Sequence, residues 1–517
     1  MSAAEVSRRA VVGGVLLAGA LAATPLQARR FAPFAVDCSA GRITGRLDDE
    51  KLGSFLGIRY GTAERFRAPA PFGQRGAIRR VGDFGPASPQ RGRYDPQSED
   101  CLFLNIWTKA PTVPAKKPVM VYFHGGAYTT GSVTDPLNDG AALAARGDVV
   151  VVTVNHRLNA FGYLYLAELD PRFPDSGNAG QLDLILALEW VRDNIAAFGG
   201  NPGCVTVFGQ SGGGAKIATL MAMPAARGLF HRAITMSGQQ VTASGPRHAT
   251  ERTRTYLAKL GVSERDLSPL LTMPVEQLVL ALGATDPILG GSLYFGPVLD
   301  MRALARHPFW PDAPAQSARI PMLLGNTRDE TRAFYAATSD KVRDLSWDNV
   351  GARIAAEVPS DILPSYVVAQ YRRREPGWSP REIFYAATTA GRSWRGQVIE
   401  AEARARAGSP TWVYQLDFAS RTDPDMGAHH TLDIPLAFGT LGAEGSRTGT
   451  DPAARAASAA LQDSFVRFAK TGEPGWPRYD LTRRATMIFD TRSQVIPDPR
   501  GWQRELFARV PYIQPGT

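Results

Sequence analysis

The stretch Val205-Thr-Val-Phe-Gly209-Gln-Ser211-Gly-Gly213-Gly214 decides how this chain is read. A β-branched run enters it, and a helix-forming segment rich in Ala and Met, at 213–223, leaves it. Gly-x-Ser-x-Gly between a strand and a helix is the strained turn that lifts a serine hydroxyl above the edge of a sheet. Glycine is needed there because a Cβ would meet the backbones of the neighbouring strand and helix. The pattern alone is weak in a chain with 51 Gly among 517 residues; its strand-to-helix setting makes it specific.

Outward from this point, short apolar runs at 119–123, 149–155, 205–208, 233–236, 320–325 and 411–418 read as strands covered on both faces. Between them, 183–197 carries Leu184, Leu188, Val191 and Ile195 at helical spacing and stops at Gly199-Gly200. Strands alternating with helices predict a mostly parallel α/β sheet flanked by helices. The segments 251–284 and 346–407 are more helical and more polar and read as excursions that roof a site. No linker divides residues 29–517, which read as one domain.

A serine hydroxyl needs a base to take its proton, and in such a fold the acid and then the histidine follow the serine. Of the seven histidines, His124 and His156 precede Ser211, His231 sits at a helix-to-strand junction, and His248 and His307 come before the acid. His429 and His430 remain, in the polar loop after the 411–418 strand, and chemistry alone does not separate them. The run 320–325 leads into Asp329 and Glu330, and both qualify as the acid. The 119–123 run ends in His124-Gly-Gly-Ala127, where residues without bulk let backbone N–H groups reach a carbonyl oxygen. The N–H of Gly212 adds a donor, and His124 reads as a structural residue of that loop.

Composition agrees with a soluble globular protein: 44% hydrophobic, 21% charged and a net charge of +9. No dense Lys/Arg run is interleaved with aromatics, and Arg372-Arg373-Arg374 reads as solvated surface, so nucleic acid is not an expected partner. Arg8-Arg9, an apolar stretch at 10–23 and Ala28 form an export leader of the twin-arginine kind over 1–28. Its apolar part is too short and Gly-broken to span a bilayer, so no stable membrane insertion is expected after cleavage, and the mature protein is expected in the periplasm or outside the cell. Cys38, Cys101 and Cys204 offer no metal spacing and cannot all pair.

These residues resemble the type-B carboxylesterase/lipase family, the group that includes the cholinesterases, over roughly Asp37 to Pro511. Glu99-Asp-Cys-Leu-Phe-Leu-Asn105 is similar to one family signature and Phe208-Gly-Gln-Ser-Gly-Gly-Gly214 to the serine signature. Asn155-His-Arg-Leu-Asn-Ala-Phe-Gly162, Gly177-Asn-Ala-Gly-Gln-Leu-Asp183 and Phe468-Ala-Lys-Thr-Gly472 follow family blocks in order.

The resemblance implies an α/β-hydrolase fold and a serine carboxylesterase with Ser211 as nucleophile, His430 as base and Glu330 as the acid that orients it. It further implies Gly126, Ala127 and Gly212 as oxyanion donors, Ser237 as a buried serine near the acid, and structural ion pairs Arg65–Glu99 and Arg157–Asp183. A small-molecule ester is the implied partner, with no cofactor or metal. The sequence departs from the family at Gln210 and Gly212, where many members carry Glu and Ala, and at Thr331, where Gly is usual. Gln210 removes a carboxylate, and no Trp lies between Arg65 and Glu99 to stack on a quaternary ammonium, so acetylcholine is not an expected substrate. The rival readings are a related hydrolase of lipids, amides or carbamates, an acyltransferase, and a non-catalytic binding protein on the same fold.

Overall fold

Val119, Val121 and Phe123 are fully buried, and so are Met120 and Tyr122 between them. A strand apolar on both of its faces must be covered on both, which is the signature of a parallel sheet inside helical layers. The computed structural model describes residues 31–73, 78–80, 82–92, 94–109 and 116–517; the leader expected at 1–28 lies outside them.

Among the described residues the strands of the main sheet are β1 (Phe31–Cys38), β2 (Gly41–Asp48), β3 (Leu52–Arg59), β4 (Phe103–Lys109), β5 (Lys117–Phe123), β6 (Val150–Val154), β7 (Gly200–Gln210), β8 (Arg232–Met236), β9 (Met322–Thr327), β10 (Thr411–Leu416), β11 (Ala485–Phe489) and β12 (Gln494–Pro497). Their spatial order is β1-β2-β3-β4-β6-β5-β7-β8-β9-β10-β11-β12, with Ile78–Arg80 beside β2. From β6 to β11 every pairing is parallel, and the strands at both ends are antiparallel. The predicted mostly parallel sheet is therefore present, and the α/β-hydrolase fold with it.

One face packs Val119, Val121 and Val207 against Leu184, Leu188 and Val191 of α1 (Ala179–Asn194) and Ile217 of α2 (Gly212–Leu220). The other packs Met120, Tyr122 and Phe208 against Leu461, Phe465 and Phe468 of α3 (Pro452–Thr471). Each such side chain contributes about 1.5–3 kcal/mol of burial. The predicted helix at 183–197 begins earlier and ends in a 3-10 turn, Ile195–Phe198, that Gly199 closes at φ 83°. The two helical excursions hold cores of their own, around Tyr256, Leu257 and Phe295 and around Tyr371, Phe384 and Phe507.

Both ion pairs implied by the resemblance form. Arg65 meets Glu99 through Nε (2.9 and 2.8 Å) and Nη2 (2.6 Å) and also donates to the Leu270 and Met273 carbonyls. Arg157 grips Asp183 at 2.9 and 2.6 Å, and Asp183 also accepts the Arg157 backbone N–H at 3.0 Å. Burial opposes the Arg157 charge, but Asp183 outweighs it and raises the guanidinium above its ordinary value. Cys38, Cys101 and Cys204 form no disulfide among the described residues, and burial pushes Cys101 up to about 12, so it stays a neutral thiol.

Asp183→Asn leaves Arg157 buried beside a neutral group, and urea unfolding should show a loss of about 3–5 kcal/mol. Asp193→Asn, which breaks the half-exposed Arg192–Asp193 pair, should cost less than about 1 kcal/mol. Equal effects of the two would show that the buried pair is not a stabilising unit.

Candidate active site

Loops leave the carboxyl ends of five neighbouring strands, and each carries a residue singled out in the sequence. β5 runs into His124-Gly-Gly-Ala127, β7 into Ser211, β8 into Ser237, β9 into Glu330, and β10 into the loop that holds His429 and His430. The carboxyl edge of such a sheet is where ligands of open α/β folds bind.

The turn at Ser211 has no room for alternatives. Ser211 sits at φ 55°, in the left-handed region, and its N–H donates to Met236 O at 2.7 Å. A Cβ on Gly213 would stand 1.9 Å from Phe123 O, and one on Gly209 would stand 2.6 Å from the Gly213 carbonyl carbon. α2 starts at Gly212, so the Gly212 N–H opens the helix without an intrahelical acceptor.

Glu330 is fully buried, with Oε1 accepting from the Thr327 N–H at 2.8 Å and from Asn326 Nδ2 at 3.1 Å. Its Oε2 takes a short hydrogen bond from His430 Nδ1, which leaves Nε2 of that ring free to accept. Burial alone would raise the Glu330 carboxyl, but the His430 charge and these hydrogen bonds outweigh it and hold it below the ordinary carboxylate range. Asp329 turns away: its Oδ2 accepts the Ala428 N–H at 2.9 Å and pairs with Arg328 at 3.2 Å. Thr331, where the family usually has Gly, is buried and bonds Tyr385 O at 3.0 Å and the hydroxyls of Thr388 and Thr389 at 2.8 and 3.0 Å. Its hydroxyl ties the acid's loop to the second excursion.

His430 and Ser211 line one cavity of about 130 Å³, together with Ala127, Gly212, Tyr294 and Arg392. His429 does not face it; it lines a second cavity of about 370 Å³ with Gly125, Gln210 and Asp135. Burial pushes the His429 ring down to about 4, helped by the charges of Arg447 and His430, so it is neutral at working pH. Ser211 Oγ and His430 Nε2 make no hydrogen bond in this geometry. The Gln210 amide Nε2 stands 3.3 Å from His430 Nε2 instead, so the residue before the serine occupies the site where the serine's proton would go. Catalytic hydrogen bonds are often unformed until substrate is bound.

The Gly126 and Ala127 N–H groups donate to no protein acceptor among the described residues, while Gly126 O accepts from the Thr129 and Thr130 N–H groups. His124 holds the loop from behind: Nδ1 meets Gly125 O at 2.9 Å and the ring stacks on His156. Burial, with the charge of Lys216, pushes its pKa down to about 3, so it works as a neutral brace. Ser237 is buried at φ 50°, and its hydroxyl faces Glu330 and helps hold that carboxyl below the ordinary range.

Three buried groups escaped the sequence reading. Asp433 lies under His430, is hydrogen-bonded by the Tyr414 hydroxyl at 3.2 Å, and is pushed up to about 7 by burial and by the Glu330 charge. Glu400 accepts the Gln240 N–H at 2.7 Å and is pushed up to about 8 by burial. The third is Lys216. Its fourth-place position after a helix start looks like an exposed face, and nothing local signals its burial.

A strained serine above a parallel sheet, a buried Glu–His pair and a loop of unpaired N–H groups together define a carboxylic ester hydrolase on the α/β-hydrolase fold. The chain belongs to the carboxylesterase family, whose model matches residues 32–496. It is 36% identical over 426 residues to the para-nitrobenzyl esterase of Bacillus subtilis (strain 168), covering 79% of this chain and 83% of that protein. It is 30% identical over 510 residues to the phenmedipham hydrolase of Pseudarthrobacter oxydans, covering 89% and 96%. Among solved structures it is similar to the Geobacillus stearothermophilus carboxylesterase EST55, with a TM-score of 0.82 and 33% identity over 92% of this chain and 99% of that one.

The two neighbouring histidines separate cleanly by mutation. His430→Gln should lower kcat on a p-nitrophenyl ester by about 10³-fold or more, and His429→Gln by less than about tenfold. The reverse ranking would move the base to position 429.

Proposed function

We propose that the protein hydrolyses carboxylic esters through an acyl-enzyme on Ser211. His430 Nε2 takes the Ser211 proton as Oγ attacks the ester carbonyl, and the N–H groups of Gly126, Ala127 and Gly212 receive the developing O⁻. The imidazolium, steadied by Glu330, then protonates the leaving alcohol, and water repeats the sequence to free the acid. The observation that carries this reading is the buried Glu330–His430 hydrogen bond opening onto the cavity that Ser211 lines.

For the cycle to run, the His430 Nε2 must exchange the Gln210 amide for the Ser211 hydroxyl. The cavity that Ser211 and His430 line holds about 130 Å³, which favours esters with at least one compact half. Residues 1–28 are proposed to export the enzyme to the periplasm or beyond. Among the described residues no helix is long and apolar enough to cross a membrane.

Ser211→Ala should lose p-nitrophenyl butyrate hydrolysis by about 10⁴-fold or more while keeping its melting temperature; substantial turnover in that variant would remove Ser211 from the reaction. In a host with a twin-arginine pathway, Arg8→Lys with Arg9→Lys should hold the enzyme inside the cell. Export unaffected by that pair would end the leader assignment.

A further inference from the structure

Five residues after Ser211, the same helix turns a lysine inward. Lys216 is fully buried, and no carboxylate pairs with it among the described residues. Its Nζ donates to His124 O at 3.1 Å and to Ala127 O at 3.0 Å, and it stands 5.4 Å from the centroid of the Tyr128 ring. An ammonium taken out of water is unfavourable unless fixed dipoles replace the solvent. Here those dipoles are the two carbonyls at either end of the His124-Gly-Gly-Ala127 loop. Burial pushes the amine down to about 7.

The loop it holds is strained. Gly126 lies at φ 85° and Ala127 at φ 54°, a left-handed conformation that an alanine leaves unless its surroundings impose it. The Gly126 and Ala127 N–H groups lie in the chain between those two held carbonyls and donate to no protein acceptor among the described residues. A second observation interlocks with the first. A Cβ on Gly212 would stand 1.9 Å from Ala127 O, the same oxygen that Lys216 grips. The loop therefore lies closer to α2 than any side chain at 212 permits. This gives a physical reason for glycine at a position where many family members carry alanine.

We propose that Lys216 is a positioning residue that pins the oxyanion loop to the nucleophile's own helix, with Gly212 as the steric gap that lets it do so. The loop supplies two of the oxyanion donors and the helix supplies the third, so one ammonium fixes the spacing among all three. The assignment rests on the Ser211 reading above.

Lys216→Met, Gly212→Ala and the double variant test it, assayed with p-nitrophenyl butyrate and a trifluoromethyl ketone that mimics the tetrahedral adduct. Lys216→Met should lower kcat about 100-fold with KM within about threefold, and weaken the ketone by a similar factor. Its melting temperature should hold or rise, because a buried charge has been removed. Lys216→Gln, which retains a donor, should recover part of the loss. Gly212→Ala alone should lower kcat about 1,000-fold but add less than about tenfold in the Lys216→Met background, where the released loop can retreat. The proposal is overturned if Lys216→Met keeps kcat within about threefold of wild type, if the two substitutions multiply independently, or if kcat and melting temperature fall together in both Lys216 variants. Turnover that survives Ser211→Ala overturns the acyl-enzyme reading and this one together. Loss in Ser211→Ala with Lys216→Met at the wild-type rate overturns only the role of Lys216.

Discussion

A methyl group at Gly213 would stand 1.9 Å from the Phe123 carbonyl oxygen, and the rest of the site depends on that lack of space. Because α2 lies hard against the end of β5, the chain leaving β7 must turn within one residue. Ser211 takes the strain at φ 55°, and its side chain projects from the sheet edge instead of packing into it. The same closeness brings the start of α2, with its free N–H, beside the loop that follows β5. Ser211 and the N–H groups proposed as oxyanion donors thus share one backbone contact as their origin.

Beneath that contact the protein sorts charge with care. Glu330 is kept ionised by His430 and by N–H donors, while Asp433 beside it is pushed up to about 7 by burial and by the Glu330 charge. Neighbouring carboxyls whose environments drive their ionisation apart are a device for placing one negative charge where the imidazole needs it. His124, His156 and His429 are all held neutral by burial, so the charge that the proposed mechanism develops on His430 would meet no competing imidazolium.

Much of this was legible in the chain itself, for identifiable reasons. The runs at 119–123 and 205–208 are apolar on both faces, so they announce a covered parallel sheet, and the Gly-x-Ser-x-Gly turn between strand and helix marks the site. The N-terminal strands β1 to β3 were not anticipated: their burial is partial and irregular, with exposed Phe31 and glycines at 45, 53 and 57, so period-two patterning is blurred. His430 over His429 and Glu330 over Asp329 came only from resemblance, since adjacent residues of one chemistry differ solely in which way a loop turns. Lys216, Asp433 and the grip of Gln210 on His430 were invisible, because burial of a polar side chain is a tertiary fact with no local pattern.

The departures from the family form a consistent set. Gln210 replaces a carboxylate with an amide that hydrogen-bonds the imidazole; Gly212 clears space for a carbonyl that Lys216 holds; Thr331 fastens the acid's loop to the second excursion. The central claim is that these parts converge on one tetrahedral centre. A crystal structure of the enzyme after reaction with an organophosphonate examines that directly. The account predicts phosphorus bonded to Ser211 Oγ, its phosphoryl oxygen within hydrogen-bond reach of the Gly126, Ala127 and Gly212 N–H groups, and His430 Nε2 turned from Gln210 towards the adduct. A phosphoryl oxygen facing solvent, or an adduct on another residue, would contradict it.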